Sequence, residues 1–287
     1  MFGIKFERLW LAAVLPLAGC ATVPLEQTGA ISSYESLVQS DGLLTRARIG
    51  VNKEKVLAAT TVKIIPTSFS AAAAAAGLSD LQRGMVSNAL DRSMCIGLSD
   101  RFKIVAEPSP ADLTVHAVIT HVILTDEMAA GASRVVTIGA SVAEKLFFPV
   151  PVPMPVPRFP IGLGGLSVEV EARDASGHQE AAMIWARGAD ALMSTPKVST
   201  ASDAYDLAKS FAFDFSTLLV TAASPFQTVP ALPSMQSIHA ALGAPPREAV
   251  CERFGRGPGV QGLIGDTIGL PPEWTDQGAR ANAANDR

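Results

Sequence analysis

Cysteine is scarce in this chain, three residues in 287, and no two of them form a C-x-x-C pair. That excludes a zinc knuckle and a thioredoxin-type redox pair. Histidine is nearly as rare, and His116 and His121 fall five apart on a stretch with a period of two, which puts them on opposite faces of a strand and unable to share a metal. Aromatic residues make up 6% and charged residues 17%, with 27 acidic side chains against 23 basic ones, so a basic nucleic-acid surface is excluded. No apolar run reaches the eighteen or so residues that a membrane-spanning helix needs. G-x-S-x-G and H-E-x-x-H are both missing, and with them the usual nucleophile elbow and zinc-protease helix. Gly257-Pro258-Gly259-Val260-Gln261-Gly262 matches G-x-G-x-x-G in letters only, since no strand precedes it and proline occupies the tight turn.

What is present begins at the N-terminus. Lys5 and Arg8 precede a short apolar segment, Leu9 to Leu17, which closes on Leu17-Ala18-Gly19-Cys20. A basic start, a short apolar stretch and small residues at its end are the parts of a signal peptide. The last four residues resemble the bacterial lipobox, which implies removal of residues 1 to 19 and a lipidated Cys20 as the first residue of the mature chain. Ala21 stands where an aspartate would imply inner-membrane retention, so the same resemblance implies the outer membrane, with the protein facing the periplasm. Each buried acyl CH₂ contributes about 0.8 kcal/mol, and a three-chain lipid head therefore holds a soluble body almost permanently. Losing Lys5, Arg8 and Glu7 leaves the mature chain more acidic, so lipid and not a basic patch does the holding.

An oxidising compartment lets Cys95 and Cys251 pair. Cys95, inside a predicted helix, also reads as a small buried apolar residue.

Residues 20 to 58 read as a lipidated, extended tether with a few apolar anchors. The domain proper is expected over 59 to 223. Thr61 to Ile65 is β-branched and stops at Pro66, as a strand would. Ser79 and Gln82 form a capping box before an apolar series containing Leu78, Leu81, Met85 and Ala89, which predicts a helix ending near Asp100. Phe102 to Glu107 reads as a short strand, and Leu113 to Leu124 as a central one, apolar on both faces. Leu166 to Arg173 and His178 to Ala189 flank Asp174-Ala175-Ser176-Gly177 as a hairpin with one solvated face. Ser202 to Ala222 has helical spacing. The expected class is α+β, a small mixed, mostly antiparallel sheet with two helices on one face, in the order β-α-β-β-insertion-β-β-α. The other face would be partly covered by the insertion or a partner. Glu169 and Glu171 share a strand face about 7 Å apart by strand rise. With Arg173 in the same row they read as a solvated charged edge and not as the paired carboxylates of a glycosidase. Asp112 and Asp203 read as turn or cap residues.

Two segments depart from an ordinary domain. The insertion, 128 to 165, carries prolines at alternate positions from Pro149 to Pro157, which removes every N–H along one strand edge. It is an arm or a stiff linker. Its Leu146, Phe147, Phe148, Met154 and Phe159 are candidate partner-contact residues. The C-terminal segment, 224 to 287, is about one quarter Pro and Gly, which predicts mostly irregular structure, with a short amphipathic helix over Ser234 to Leu242, Cys251 available to tie it down, and a loose end beyond Trp274.

Taken in order, several stretches resemble a bacterial lipoprotein family, domain of unknown function 3313, over roughly residues 20 to 223. They are the lipobox, Gly29 to Leu37 with its Tyr34, the capped helix, the strand after Ala111-Asp112-Leu113, and the glycine run leading into an acidic strand. The resemblance implies a periplasm-facing lipoprotein without established catalytic residues. The order of elements is also loosely similar to periplasmic α/β domains of lipoproteins that build secretion assemblies, an analogy only. The expected role is structural, with a second copy or another envelope protein as partner. The alternative is a binding module for a small molecule or glycan. An enzyme ranks last, because no nucleophile, base or metal set converges, and neither a metal nor a cofactor is expected.

Overall fold

The computed structural model describes residues 23–133, 158, 161–191, 194–226 and 234–278. The strands are β1 (Val38–Gln39), β2 (Thr45–Val51), β3 (Thr61–Phe69), β4 (Lys103–Val105), β5 (Leu113–Ile123), β6 (Gly165–Asp174) and β7 (Gln179–Gly188). They form one mixed sheet in the order β1-β2-β7-β6-β5-β3-β4. β3 runs parallel to β4 and β5, and every other pairing is antiparallel. The helices are α1 (Lys53–Ala58), α2 (Ala71–Ala74), α3 (Asp80–Leu98), α4 (residues 127–133), α5 (Ser202–Thr221), α6 (Met235–Ala241), α7 (Gly259–Ile268) and α8 (Pro272–Thr275).

The class is the expected one, α+β with helices packed against the sheet. Val168, Val170, Ala172, Met183 and Trp185 point to the face covered by α3 and α5, and all are fully buried. Trp185 meets Phe211 edge to face at 5.7 Å, and Phe211 stacks on Phe215 at 6.2 Å. α3 starts at the Ser79–Gln82 capping box. It then lies close along α5, because a Cβ on Gly97 would come within 2.8 Å of the Ser216 Cβ. Met85, Val86, Ala89, Leu90 and Met94 are buried, whereas Leu81, expected on the same stripe, is half exposed.

Three expectations need correction. The segment read as a tether contains β2, which pairs with β7 over seven residues. Its alternation of Thr45, Ala47 and Ile49 inward against Arg46 and Arg48 outward was masked by the small and polar members of the inward set. β3 runs through Pro66 to Phe69, not up to it. The proline costs no ladder bond there, because β4 pairs only with Thr61 to Lys63 and the register with β5 shifts between Ile65 and Ser68. The described part of the C-terminal segment, residues 234–278, is not mainly irregular: besides α6, where a short helix was expected, it carries α7, α8 and a 3₁₀ turn at Ala249–Phe254.

Candidate functional site

The face of the sheet away from α3 and α5 carries Gly165, Ser167, Glu169 and Glu171 of β6, and the expectation of a solvated charged edge fails there. Both glutamates have no exposed surface. They are covered by a strap, residues 23 to 37, that runs along β6 from its start toward its end. Val23 is buried where a Cβ on Gly165 would meet its Cγ2 at 2.4 Å, so only glycine admits it. The Ser167 hydroxyl donates to the Pro24 carbonyl at 2.6 Å. Glu169 accepts from the backbone N–H groups of Thr28 (2.7 Å) and Ala30 (3.0 Å) and from the Tyr34 hydroxyl (2.6 Å). Glu171 accepts from the N–H (2.8 Å) and hydroxyl (2.5 Å) of Ser32, from Gln179 (2.9 Å) and from the Arg173 guanidinium. Ile31 then packs with Ala182 and Ile184, and Leu25, Tyr34 and Leu37 border that cluster.

An irregular segment brings its own N–H groups, and the two carboxylates satisfy them where no water reaches. Burial alone would raise the Glu171 pKa, but the bonds from Arg173, Ser32 and Gln179 outweigh it and hold the group at about 2. Burial and the bond to Glu169 raise Tyr34 above its usual value. With their oxygens committed to the strap, these glutamates hold backbone. No solvent-facing carboxyl pair stands there for glycoside chemistry.

The strap enters at one end of the sheet, where a second polar centre fixes neighbouring segments. Asp203 in the first turn of α5 accepts both nitrogens of the Arg158 fork (2.7 and 3.1 Å), the Gly164 N–H (2.8 Å) and the Thr125 hydroxyl (2.9 Å). Arg158 and Asp203 are almost wholly buried. The carboxylate expected as a turn or cap residue thus ties the return of the insertion to the end of β5 and to the start of β6. Asp112 plays the smaller role at the opposite end. It accepts from the N–H and hydroxyl of Thr60 and the N–H of Thr61, which hold its carboxyl at about 2.

A third centre binds the C-terminal segment. Cys95 and Cys251 form a disulfide between α3 and the 3₁₀ turn, with Cα atoms 5.7 Å apart. Asp276 is buried against Arg92 (2.6 Å) and the Tyr205 hydroxyl (2.5 Å), although the sequence beyond Trp274 was expected to be loose. Lys197, 1% exposed, bridges Asp206 (2.7 Å) and Asp266 (3.0 Å), joining α7 to α5. Between these anchors α3, α5 and the C-terminal helices enclose a cavity of about 240 Å³, lined by Ile96, Phe213, Ala240 and Leu263 with Arg92 and Lys209.

The remaining expectations have definite places. His116 and His121 stand opposite Glu171 and Ser167, on the same face and not on opposite ones, because the bulge after Ile119 adds one residue and reverses the alternation. They are still about 13 Å apart along the sheet, the four-residue spacing of their partners on β6. Among the described residues no group of three metal-binding side chains occurs. No helix among them is long and apolar enough to cross a membrane. Leu17, Ala18, Gly19 and Cys20 lie outside the described residues, as do Leu146, Phe147, Phe148, Met154 and Phe159.

Fold and centres together define an α+β domain strapped across one face of its sheet by its own N-terminal segment. The chain belongs to the family described as Protein of unknown function (DUF3313), whose model matches residues 26–215. No curated protein matches it. Among solved structures it is similar to two of the PelC dodecamer from Paraburkholderia phytofirmans. One, at 10% identity and a TM-score of 0.33, covers 64% of this chain and 95% of that chain. The other, at 8% identity and a TM-score of 0.33, covers 66% of this chain and 98% of that chain.

Proposed function

We propose that this protein is a lipid-anchored, non-catalytic lipoprotein of the outer membrane, facing the periplasm, which holds an α+β body in a fixed pose for a partner in the envelope. One observation carries the reading: Val23, three residues after Cys20, is already buried in the folded body, and the following strap is bound along the sheet. An anchor attached that close to a rigid body acts as a mount and not as a leash. The Leu17-Ala18-Gly19-Cys20 lipobox supplies the lipid, and the Cys95–Cys251 disulfide suits an oxidising compartment. The carboxylates that might have served chemistry are committed to backbone groups, which supports a structural role.

Mass analysis of the cell-derived protein tests it. The N-terminal peptide is expected to begin at Cys20 with a diacylglyceryl group and an amide-linked acyl chain, and a Cys20→Ala variant to leave the membrane fraction. An unmodified N-terminus ahead of residue 20 would overturn the reading. A second reading, a binding module for a small apolar or amphipathic molecule, is favoured by the cavity under the C-terminal helices alone.

A further inference from the structure

The strap that seats the body also decides which end of it meets the lipid. Resting on the anchoring reading above, we infer that the end of the sheet formed by the close of β5 and the start of β6 lies against the bilayer surface. There Met128, Ile161 and Val198 enter the headgroup boundary as a small apolar contact with phospholipid.

The geometry comes from chain length. Three peptide links join Cys20 to Val23, so whatever their path a lipidated Cys20 lies within about 11 Å of Val23. Val23 sits over Gly165, between Ile123 and the Arg187 carbonyl, all at one end of the sheet. The hairpin turn after Asp174 is at the other end, about 30 Å away along the ten residues of β6.

The chemistry of the two ends differs in the sense that a membrane requires. At the Val23 end Met128 is 86% exposed, Ile161 71% and Val198 43%. The three stand on segments that touch one another. A Cβ on Gly162 would meet those of Asp126 and Ala129, a Cβ on Gly131 would reach the Val198 Cγ2, and the Thr200 N–H donates to Glu127. On these segments Asp126 accepts from the N–H groups of Met128 and Ala129, and Glu127 from Thr200. Lys197 beside them is buried with Asp206 and Asp266. Among the described residues of the three segments that carry Met128, Ile161 and Val198 no basic side chain is exposed, so the contact they offer is apolar and follows the anchor without depending on lipid charge. At the far end Lys55, Asp112 and Asp174 stand around an open hollow of about 600 Å³, and these charged side chains belong in water.

The test places the photoreactive benzoylphenylalanine at position 128, 161 or 176 of the full chain. The cell-derived protein is reconstituted in phosphatidylethanolamine–phosphatidylglycerol vesicles and irradiated, and adducts are read by mass. All three positions are exposed, so the label leaves the fold intact, which a melting curve verifies. Positions 128 and 161 are expected to give phospholipid adducts at least about tenfold above position 176, unchanged when phosphatidylglycerol is omitted. Equal yields at the three positions, or adducts at 128 and 161 to a second copy of the chain, would overturn the inference while the lipidated N-terminal peptide in the same preparation leaves the anchoring reading standing. A preparation whose N-terminal peptide carries no lipid overturns both.

Discussion

At the scale of single residues, the informative groups are buried carboxylates, and they fall into two kinds. Asp91 of α3, 1% exposed, accepts the N–H of Thr67 at 2.9 Å and its hydroxyl at 2.5 Å, taking up backbone that the bulge near Pro66 leaves without a ladder partner. Burial outweighs those two bonds and the charge of Arg253, and it raises Asp91 to about 7. The native state therefore binds a proton that the unfolded chain has lost between about pH 4 and pH 7, and this group's contribution to stability falls as pH rises through that window. Asp91→Asn keeps an acceptor for the Thr67 N–H without the buried charge. Thermal melts should show the variant gaining ~2 kcal/mol on the parent between pH 5 and pH 8, with the pH-dependent gap closing near pH 4. A parallel gap at both values would count against the assignment. Asp214, raised by burial to about 6 beside the Trp185 indole, leaves a smaller slope of the same sign. Asp203 is of the other kind, paired with a buried arginine and with every oxygen partnered. Arg158→Ala strands it, and since breaking a buried pair costs roughly 3–5 kcal/mol, denaturant midpoints should drop accordingly.

At the scale of elements, the strap and the C-terminal segment are both held by a few strong points. Replacing Glu169 by Gln weakens the acceptor for Thr28, Ala30 and Tyr34 at once. Hydrogen bonds to a charged group contribute about 1.5–3 kcal/mol each, so amide exchange at residues 28 to 34 should quicken well before exchange in β6 changes. Cys95→Ser removes the disulfide clasp at a cost of about 2–5 kcal/mol, and limited proteolysis should then cut between residues 226 and 250 while the sheet survives. What sequence could say about these elements follows from how each is stabilised. Regular apolar periods announced β5, β6, β7, α3 and α5, and the Ser79–Gln82 box announced where α3 starts. The strap has no period, because its partners are carboxylates on another strand. Glutamates at alternate positions look the same whether water or backbone N–H groups face them, so burial of Glu169 and Glu171 was invisible. Thr28 to Ser32, small and polar just after a lipobox, was the one available hint. In the C-terminal segment the helix at Met235–Ala241 and the tie at Cys251 were legible, whereas α7, α8 and the anchor at Asp276 were not, because they rest on single residues dispersed in a Pro- and Gly-rich background.

At the scale of the whole molecule, the proposed lipid anchoring makes the distance from Cys20 to the body decide how the protein meets its surroundings. A leash of some tens of residues would let the domain sample all orientations, as envelope lipoproteins with long linkers can, whereas three residues before a buried Val23 allow almost none. Orientation and anchoring are then separable by experiment. Inserting fifteen Gly and Ser residues between Cys20 and Val23 changes neither the lipobox nor any contact of the strap, so lipid attachment and melting temperature should stay as they are. A flexible insert of that length has a root-mean-square reach of about 20 Å, enough to turn the body away from the surface. Lipid adducts from a photoprobe at position 128 should fall several-fold, and the polar end around Asp112 and Asp174 should become no more exposed than the apolar one. If the envelope partner needs the fixed pose, the lengthened protein should also fail to restore whatever a deletion strain loses, despite normal abundance. Restoration at full strength by the lengthened chain would mean that the mount positions the body without its partner depending on the pose.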